Sequence, residues 1–150
     1  MRAVVQRVTD AHLSINGDTE CSMGAGLVIL LGIEEQDETS DIQWLSGKIS
    51  RLRILDDSDG VMNLSVNDRK EEVMIISQFT LFASTRKGNR PSYIKAAVPE
   101  TAIPLYEQFI LQMEANLGKK VLTGKFGAKM KVNLTNDGPV TILMDSKNRE

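Results

Sequence analysis

Apolar and polar residues alternate at the start of the chain, a pattern typical of a strand with one buried face. Residues 2–9 are predicted as this strand, and Asn16-Gly17 indicates a tight hairpin turn before a return strand. Residues 26–33 are apolar almost throughout, which favours a strand buried on both faces. The first fifth of the chain therefore predicts β-sheet.

Two later segments have the spacing of amphipathic helices. The first is predicted to begin at Ser40, because Ser40 and Gln43 have the spacing of a capping box. Its apolar stripe comprises Ile42, Leu45, Ile49 and Leu52. The second is predicted to begin at Pro99 and to end at Gly118, and it tolerates Pro104 only in or near its first turn. Its inward-facing residues are predicted to be Ala102, Leu105, Tyr106, Phe109, Ile110, Met113 and Leu117.

The remaining segments predict further strands. Asp56 to Gly60 is a turn signal, and residues 61–76 follow it as a predicted hairpin. Val73 to Ile76 is predicted as a central strand that continues to Phe82, and residues 121–145 are predicted as strands. Strands outnumber helices, so we expect an α/β fold of layered β-sheets covered by two helices. No linker, repeat or low-complexity tract interrupts residues 1–150, which predicts a single domain.

Composition excludes several classes of protein. Hydrophobic residues make up 41% of the chain and charged residues 25%, which is typical of a folded protein and not of a disordered one. Cys21 is the only cysteine, so an intrachain disulfide is impossible, and a small core residue is its simplest interpretation. The longest apolar run is too short to span a bilayer, and no signal-peptide pattern is visible near the start. We therefore expect a cytoplasmic protein without a membrane partner.

Charge is distributed unevenly, although the net charge is only −2. Residues 34–72 contain eleven acids and five bases, whereas residues 84–131 contain nine bases and three acids. The second of these segments could follow the phosphates of a nucleic acid. It could equally be a solvated surface, and charge alone does not separate the two interpretations.

Several common kinds of chemistry lack the residues they need. His12 is the only histidine, which leaves no histidine cluster for a metal and one possible base for a serine triad. Asp57-x-Asp59-Gly60 resembles part of a calcium loop, but the positions that require carboxylates are occupied by Leu55 and Val66. Gly24-x-Gly26 precedes its strand and so does not fit a dinucleotide-binding turn. We expect no metal and no cofactor.

Two polar segments remain as candidates for a site. Ser77-Gln78-Phe79-Thr80 ends an apolar strand, where Ser77 and Phe79 would point to one face and Gln78 and Thr80 to the other. Asn136-Asp137-Gly138-Pro139-Val140-Thr141 reads as a turn before a last strand. Taken alone, both segments are also explained as ordinary strand and turn sequence.

Together these two segments resemble the paired signature of the D-aminoacyl-tRNA deacylases. Three further segments match the family in the same order along the chain, from residue 1 to about residue 145. They are Met1-Arg2-Ala3-Val4-Val5-Gln6-Arg7-Val8, Arg90-Pro91-Ser92 and Gly124-x-Phe126-Gly127-Ala128-x-Met130. Each match is weak by itself, and the collinear set is specific.

The resemblance implies a fold, an assembly and a set of site residues. The fold would be a three-layer, barrel-like arrangement of two mixed β-sheets with helices, in a homodimer whose active sites lie at the interface. Gly138-Pro139 would form a cis peptide inserted into the partner's active site, with Arg7 fixing that loop. Phe126 and Met130 would hold the terminal adenine of tRNA. The aminoacyl pocket would be lined by the catalytic segment Ser77, Gln78, Phe79 and Thr80.

The implied reaction is hydrolysis of the ester bond of D-aminoacyl-tRNA and of mischarged glycyl-tRNA, with exclusion of L-aminoacyl groups. Because the ester is already activated and no base is evident, we expect positioning, backbone N–H groups and the hydroxyls of the tRNA to provide catalysis. Two alternatives remain. Thr80 could be a covalent nucleophile, although no activating base is near it in the sequence. The chain could also be a tRNA-binding module without activity.

Overall fold

One long strand, β1 (Arg2–Ile15), organises the fold in the computed structural model, which describes residues 1–149. Along one side it pairs antiparallel with β8 (Met130–Asp145). Along its other side, the first half pairs with β3 (Gly26–Gly32) and the second half with β2 (Asp18–Met23), both antiparallel. The predicted hairpin at Asn16-Gly17 therefore joins β1 to β2.

Two parallel strands extend this sheet beyond β3. They are β6 (Glu72–Ser77), which pairs with β3, and β7 (Leu122–Thr123), which pairs with β6. The sheet curls until β2 approaches β7, where the Cys21 thiol donates a weak hydrogen bond of 3.8 Å to the Thr123 carbonyl. The result is a nearly closed, barrel-like mixed sheet. A second sheet contains the short strands β4 (Leu55–Asp56) and β5 (Met62–Leu64).

Apolar layers cover both faces of the central strands. Alternate residues of β3 point to opposite faces, so Leu27 and Leu31 face the helices α1 (Thr39–Ser50) and α3 (Pro99–Leu117), whereas Val28 faces the inside of the barrel. Both layers are apolar, and this explains why the sequence of β3 is apolar without alternation. The α/β class with helices on layered sheets is confirmed.

Helix α3 agrees closely with its prediction. It begins at Pro99 and is followed by Gly118, whose φ of 67° ends it in the left-handed conformation. The residues predicted to face inward are all buried or pack against the core. Pro104 is the sixth residue of the helix, close enough to its start that the helix continues through it.

Helix α1 differs from its prediction at both ends. It begins at Thr39, and the backbone N–H of Glu38 donates to the Asp41 carboxylate at 2.9 Å. Ser40 lies inside the first turn and donates to the Glu38 carboxylate, so the predicted Ser40–Gln43 capping pair is wrong. Leu52 lies beyond the last helical residue, although it still packs against the core.

The hairpin predicted over residues 61–76 is also wrong. The observed hairpin joins β4 to β5 across the predicted turn, and a short helix α2 (Val66–Arg69) precedes β6. Ser65 caps this helix: its hydroxyl accepts the Asp68 N–H at 3.2 Å while its own N–H donates to the Asp68 carboxylate at 2.8 Å. These reciprocal bonds close a helical turn within the segment that was predicted to be a hairpin. Within residues 1–149, no helix is long and apolar enough to cross a membrane.

Candidate active site

The carboxyl ends of the three parallel strands lie at one edge of the sheet. At this edge β3 ends at Gly32, β6 ends at Ser77 and β7 ends at Thr123. The predicted catalytic segment starts here, because the chain leaves β6 at Ser77 and enters a 3₁₀ turn (Phe79–Phe82). The carboxyl edge of parallel strands is a common location for ligand sites.

The 3₁₀ turn packs tightly against the end of β3. A β-carbon on Gly32 would lie 3.0 Å from the Leu81 Cβ and 3.1 Å from the Gln78 carbonyl oxygen. The Gln78 N–H donates to the Leu31 carbonyl at 2.7 Å, and the Phe82 side chain is buried. Gly32 therefore permits the approach that sets the turn in place. Sequence reasoning missed this role, although a glycine at the end of an apolar strand is a signal of close backbone approach.

Within the turn, the four predicted residues are arranged differently from a strand. The Gln78 amide donates to the Thr80 hydroxyl oxygen at 2.5 Å, and the Phe79 side chain is 54% exposed. The predicted alternation of faces is therefore wrong beyond Ser77, because the 3₁₀ turn rotates the following residues. The N–H groups of Phe79 and Thr80 have no hydrogen-bond partner among residues 1–149, so the turn presents unpaired backbone donors.

An exposed apolar and basic segment lies beside this turn. The Phe79 and Tyr93 rings meet edge to face with centroids 5.0 Å apart, and neighbouring Ile94 is 90% exposed. Two backbone hydrogen bonds of 2.8 and 2.9 Å between Ser84 and Ser92 close the loop that precedes Tyr93. The cationic residues of that loop are all exposed; they are Arg86, Lys87 and Arg90.

Phe126 follows β7 at the same edge of the sheet. Its ring lies 5.9 Å from that of Tyr106, whose hydroxyl donates to the Ile75 carbonyl at 2.8 Å. Burial raises the pKa of Tyr106 to about 12, so this donor stays protonated. Met130 packs instead against the apolar layer inside the barrel, with its sulfur under Gly124. The structure places Phe126 and Met130 on one segment but in separate side-chain clusters.

Gly138 and Pro139 form an exposed loop within β8. The peptide bond between them is cis, as the resemblance implies, and Gly138 has a φ of 118°. Arg7 lies beneath the loop with its side chain only 9% exposed, and its Nε donates to the Asp137 carbonyl at 3.3 Å and pairs with the Asp137 carboxylate at 3.0 Å. The Asn136 amide donates to the Val140 carbonyl at 3.3 Å across the loop. Both sides of the loop are thus anchored.

The loop and the 3₁₀ turn are at opposite ends of the sheet. In the strand register, Ser77 is opposite Leu31, whereas Arg7 is opposite Leu27. Four residues along β3 correspond to about 13 Å, and the strand spacings from β8 through β1 and β3 to β6 separate the loop and the turn further. A single chain therefore does not bring Gly138-Pro139 to the segment that contains Thr80.

One arrangement on the surface superficially resembles a serine triad. His12 Nδ1 lies 2.9 Å from the Ser22 hydroxyl, and His12 Nε2 lies 3.7 Å from the Asp10 carboxylate. His12 and Ser22 are directly opposite each other on β1 and β2, so their contact is that of ordinary cross-strand neighbours. The group is largely exposed and lies outside the carboxyl edge. No cluster of metal-binding side chains occurs among the described residues.

The chain is similar along its whole length to one family of proteins. Residues 4–145 match the family described as D-Tyr-tRNA(Tyr) deacylase. Similar proteins named D-aminoacyl-tRNA deacylase occur in Porphyromonas gingivalis, at 61% identity, in Bacteroides thetaiotaomicron, at 59%, and in Flavobacterium johnsoniae, at 56%. Each alignment covers 100% of this chain and 100% of its relative.

Solved structures with the same fold include one titled c-Myc DNA Unwinding Element Binding Protein. It is 38% identical, with a TM-score of 0.91 over 97% of this chain and 98% of that one. A second, titled as a probable eukaryotic D-amino acid tRNA deacylase, is 16% identical, with a TM-score of 0.82 over 95% and 97% of the two chains. At that identity the second structure shows the likeness of fold alone.

Proposed function

Because the chain belongs to the D-Tyr-tRNA(Tyr) deacylase family, we propose that it hydrolyses the ester bond of D-aminoacyl-tRNA and of mischarged glycyl-tRNA while leaving L-aminoacyl-tRNA intact. The resemblance stated from sequence is confirmed, and membership makes the chain a hydrolase of aminoacyl-tRNA ester bonds. The observation that carries the finer proposal is the turn after Ser77, with its unpaired backbone N–H groups.

We propose that the N–H groups of Phe79 and Thr80 stabilise the transition state. Attack on an ester carbonyl places negative charge on its oxygen, and fixed backbone donors stabilise that charge without having to reorganise. The tight packing of Gly32 against the turn supports this role because it limits the movement of both donors. The Gln78 amide holds the Thr80 hydroxyl oxygen by a hydrogen bond, and we propose that the hydroxyl held in this way helps to position the substrate.

The base is proposed to come from the substrate. Thr80 has no carboxylate, imidazole or amine hydrogen-bonded to it among residues 1–149. A ribose hydroxyl next to the ester is suitably placed to organise or activate water, which leaves positioning to the protein. A covalent Thr80 intermediate would need an activating partner, and the surroundings of Thr80 favour the substrate-assisted route.

Thr80→Ala is expected to retain turnover. Loss of the hydroxyl should cost between a few-fold and about 100-fold in kcat, because positioning is weakened while the backbone donors remain. Single-turnover hydrolysis of D-tyrosyl-tRNA measures this loss. Thr19→Ala, on the exposed surface of β2, serves as the control because it removes the same side-chain atoms away from both the turn and the Gly138-Pro139 loop. An acyl ester trapped on Thr80 during turnover would contradict the substrate-assisted route.

We propose that the complete site contains residues from two chains of a homodimer. The separation of Gly138-Pro139 from the 3₁₀ turn within one chain supports this assembly, since a second copy can supply the loop. In that arrangement, the exposed loop would approach the aminoacyl group from the partner. Phe126 and Met130 are proposed to hold the terminal adenine, with Tyr106 supporting the Phe126 ring from behind.

Phosphate binding is proposed for the basic loop beside Phe79. Reversing Lys87 and Arg90 to glutamate should weaken tRNA affinity at least about tenfold at low salt and flatten its salt dependence, because fewer counterions are released. The preference for D over L substrates should not change. The double reversal Lys48→Glu/Arg51→Glu, on α1 and just after it, is the matched control. Filter binding over a range of salt concentrations measures both effects, and unchanged affinity in the loop variant would contradict the assignment.

A deacylation assay with D-tyrosyl-tRNA tests the proposed function directly. Release of free D-tyrosine at catalytic enzyme concentration supports it. Binding of tRNA without release would instead identify the chain as a non-catalytic tRNA-binding module.

A further inference from the structure

Arg7 is held at two ends by two different parts of the chain. At one end, Nη1 donates to the Ile54 carbonyl at 2.9 Å and to the Asp56 carboxylate at 3.0 Å. At the other, Nε bonds Asp137, the residue before Gly138. A guanidinium is planar and rigid, so partners at both ends fix its position and its orientation.

Asp56 is itself anchored independently of β8. It ends β4, and its carbonyl accepts a hydrogen bond of 3.1 Å from Arg69. Arg69 also pairs with Glu71 at 2.8 Å. The contacts therefore run from the β4–β5 hairpin through Asp56 to Arg7. They end at the loop, where a β-carbon on Gly138 would lie 3.2 Å from Arg7 Nη2.

Neutralisation of the buried guanidinium does not require Asp56. The Asp137 carboxylate already pairs with Arg7 at 3.0 Å, and both carboxylates are equally exposed at 46%. Asp137 moves with the loop, however, whereas Asp56 belongs to a separate hairpin. Among residues 1–149, the Asp56 carboxylate and the Ile54 carbonyl are the hydrogen-bond partners that tie the Arg7 side chain to a part of the chain outside the loop.

We propose that Asp56 is a positioning residue for the deacylase. By holding one end of Arg7, it fixes the Gly138-Pro139 loop at the place where that loop rejects an L side chain. The inference rests on the proposed function, because the role of the loop in rejecting L-aminoacyl groups is part of that function. Asp56 takes no part in the chemistry and acts only through Arg7 and the loop. A shift of the order of 1 Å in such an element is enough to reduce rate and selectivity together.

The test compares Asp56→Ala, Asp56→Asn and the control Asp59→Ala by steady-state kinetics with D-tyrosyl- and L-tyrosyl-tRNA. Asp59 lies in the turn of the same hairpin, and its side chain is exposed. Asp56→Ala is expected to lower kcat on the D substrate about tenfold, to leave KM within about twofold, and to lower the ratio of D to L hydrolysis about tenfold. Asp56→Asn keeps an oxygen acceptor and should recover most of both losses, and Asp59→Ala should match the wild type.

Several outcomes would overturn the inference. Wild-type kcat and a wild-type D to L ratio in Asp56→Ala would show that Arg7 needs no second anchor. Equal loss on both substrates without recovery by asparagine would mean a purely structural role. If thermal unfolding shows that Asp56→Ala is unfolded, Asp56→Ser takes its place, because the shorter serine side chain cannot reach Arg7 in the same way, and a wild-type D to L ratio in Asp56→Ser would overturn the inference. Failure of the wild type to cleave D-tyrosyl-tRNA would be a different result, since it refutes the proposed function itself.

Discussion

Gly138→Ala is expected to lower kcat/KM on D-aminoacyl-tRNA at least about 100-fold. The residue has a φ of 118°, and an added β-carbon would lie 2.8 Å from the Val140 Cγ2 and 3.0 Å from the Val140 nitrogen. An alanine fits only if the loop shifts, because side-chain-bearing residues rarely adopt this conformation. The shift would move the proposed steric wall and disturb its contact with Arg7. Single-turnover rates with D-tyrosyl-tRNA measure the loss.

Gly17→Ala is the matched control for this variant. Gly17 also has a positive φ, of 94°, but a β-carbon there meets nothing within 4 Å. Both substitutions should lower the free energy of unfolding by about 1 kcal/mol through backbone strain, while only Gly138→Ala lowers the rate. A Gly138→Ala enzyme within about threefold of wild-type activity would mean that the loop does not approach the substrate.

The wild type is expected to hydrolyse D-tyrosyl-tRNA and glycyl-tRNA at least about 1000-fold faster than L-tyrosyl-tRNA. Two enantiomers carry the same groups, so a site that grips the amino and carbonyl ends distinguishes them by where the side chain points. A rigid wall in the L direction rejects that enantiomer, since steric repulsion is large and unaffected by the kind of side chain. Glycine lacks a side chain and passes.

Parallel time courses with the three aminoacyl-tRNAs measure this selectivity. The Gly138→Ala/Pro139→Ala variant is the informative companion, because loss of the wall should narrow the difference between D- and L-tyrosyl-tRNA. If the wild type hydrolysed glycyl-tRNA as slowly as L-tyrosyl-tRNA, the pocket would have to recognise a D side chain through favourable contacts, and the steric-exclusion model would be wrong.

Local sequence patterns predicted the secondary structure correctly where the intrinsic preference of a segment agreed with its packing in the fold. The apolar run of β3 and the spacing between Pro99 and Gly118 predicted a buried strand and a helix, because each pattern matches the surfaces that bury it. The signals failed where a few residues decide the structure. Ser65 and Asp68 close a helical turn by reciprocal capping, and the 3₁₀ turn after Ser77 depends on contact with distant Gly32.

The candidate site could be predicted only in part, because contacts between residues distant in the sequence decide its structure. Its motif residues could be named by resemblance, but their arrangement depends on tertiary contacts. Asp56 lies in an ordinary turn signal and Tyr106 on the apolar face of a helix, so neither is distinguished by its neighbours in sequence. Their partners, Arg7 and the Ile75 carbonyl, are 49 and 31 residues away.

The distance between the Gly138-Pro139 loop and the 3₁₀ turn determines which pocket of a dimer is impaired when the loop of one chain is damaged. In the proposed homodimer, the loop of each chain completes the pocket of its partner, and its own pocket is completed by the partner's loop. A chain with a damaged loop therefore impairs its neighbour while its own pocket stays protected. In a cell that contains both wild-type chains and chains with a damaged loop, the damaged loop and the impaired pocket of a mixed dimer lie in different chains. Every mixed dimer therefore keeps one intact pocket.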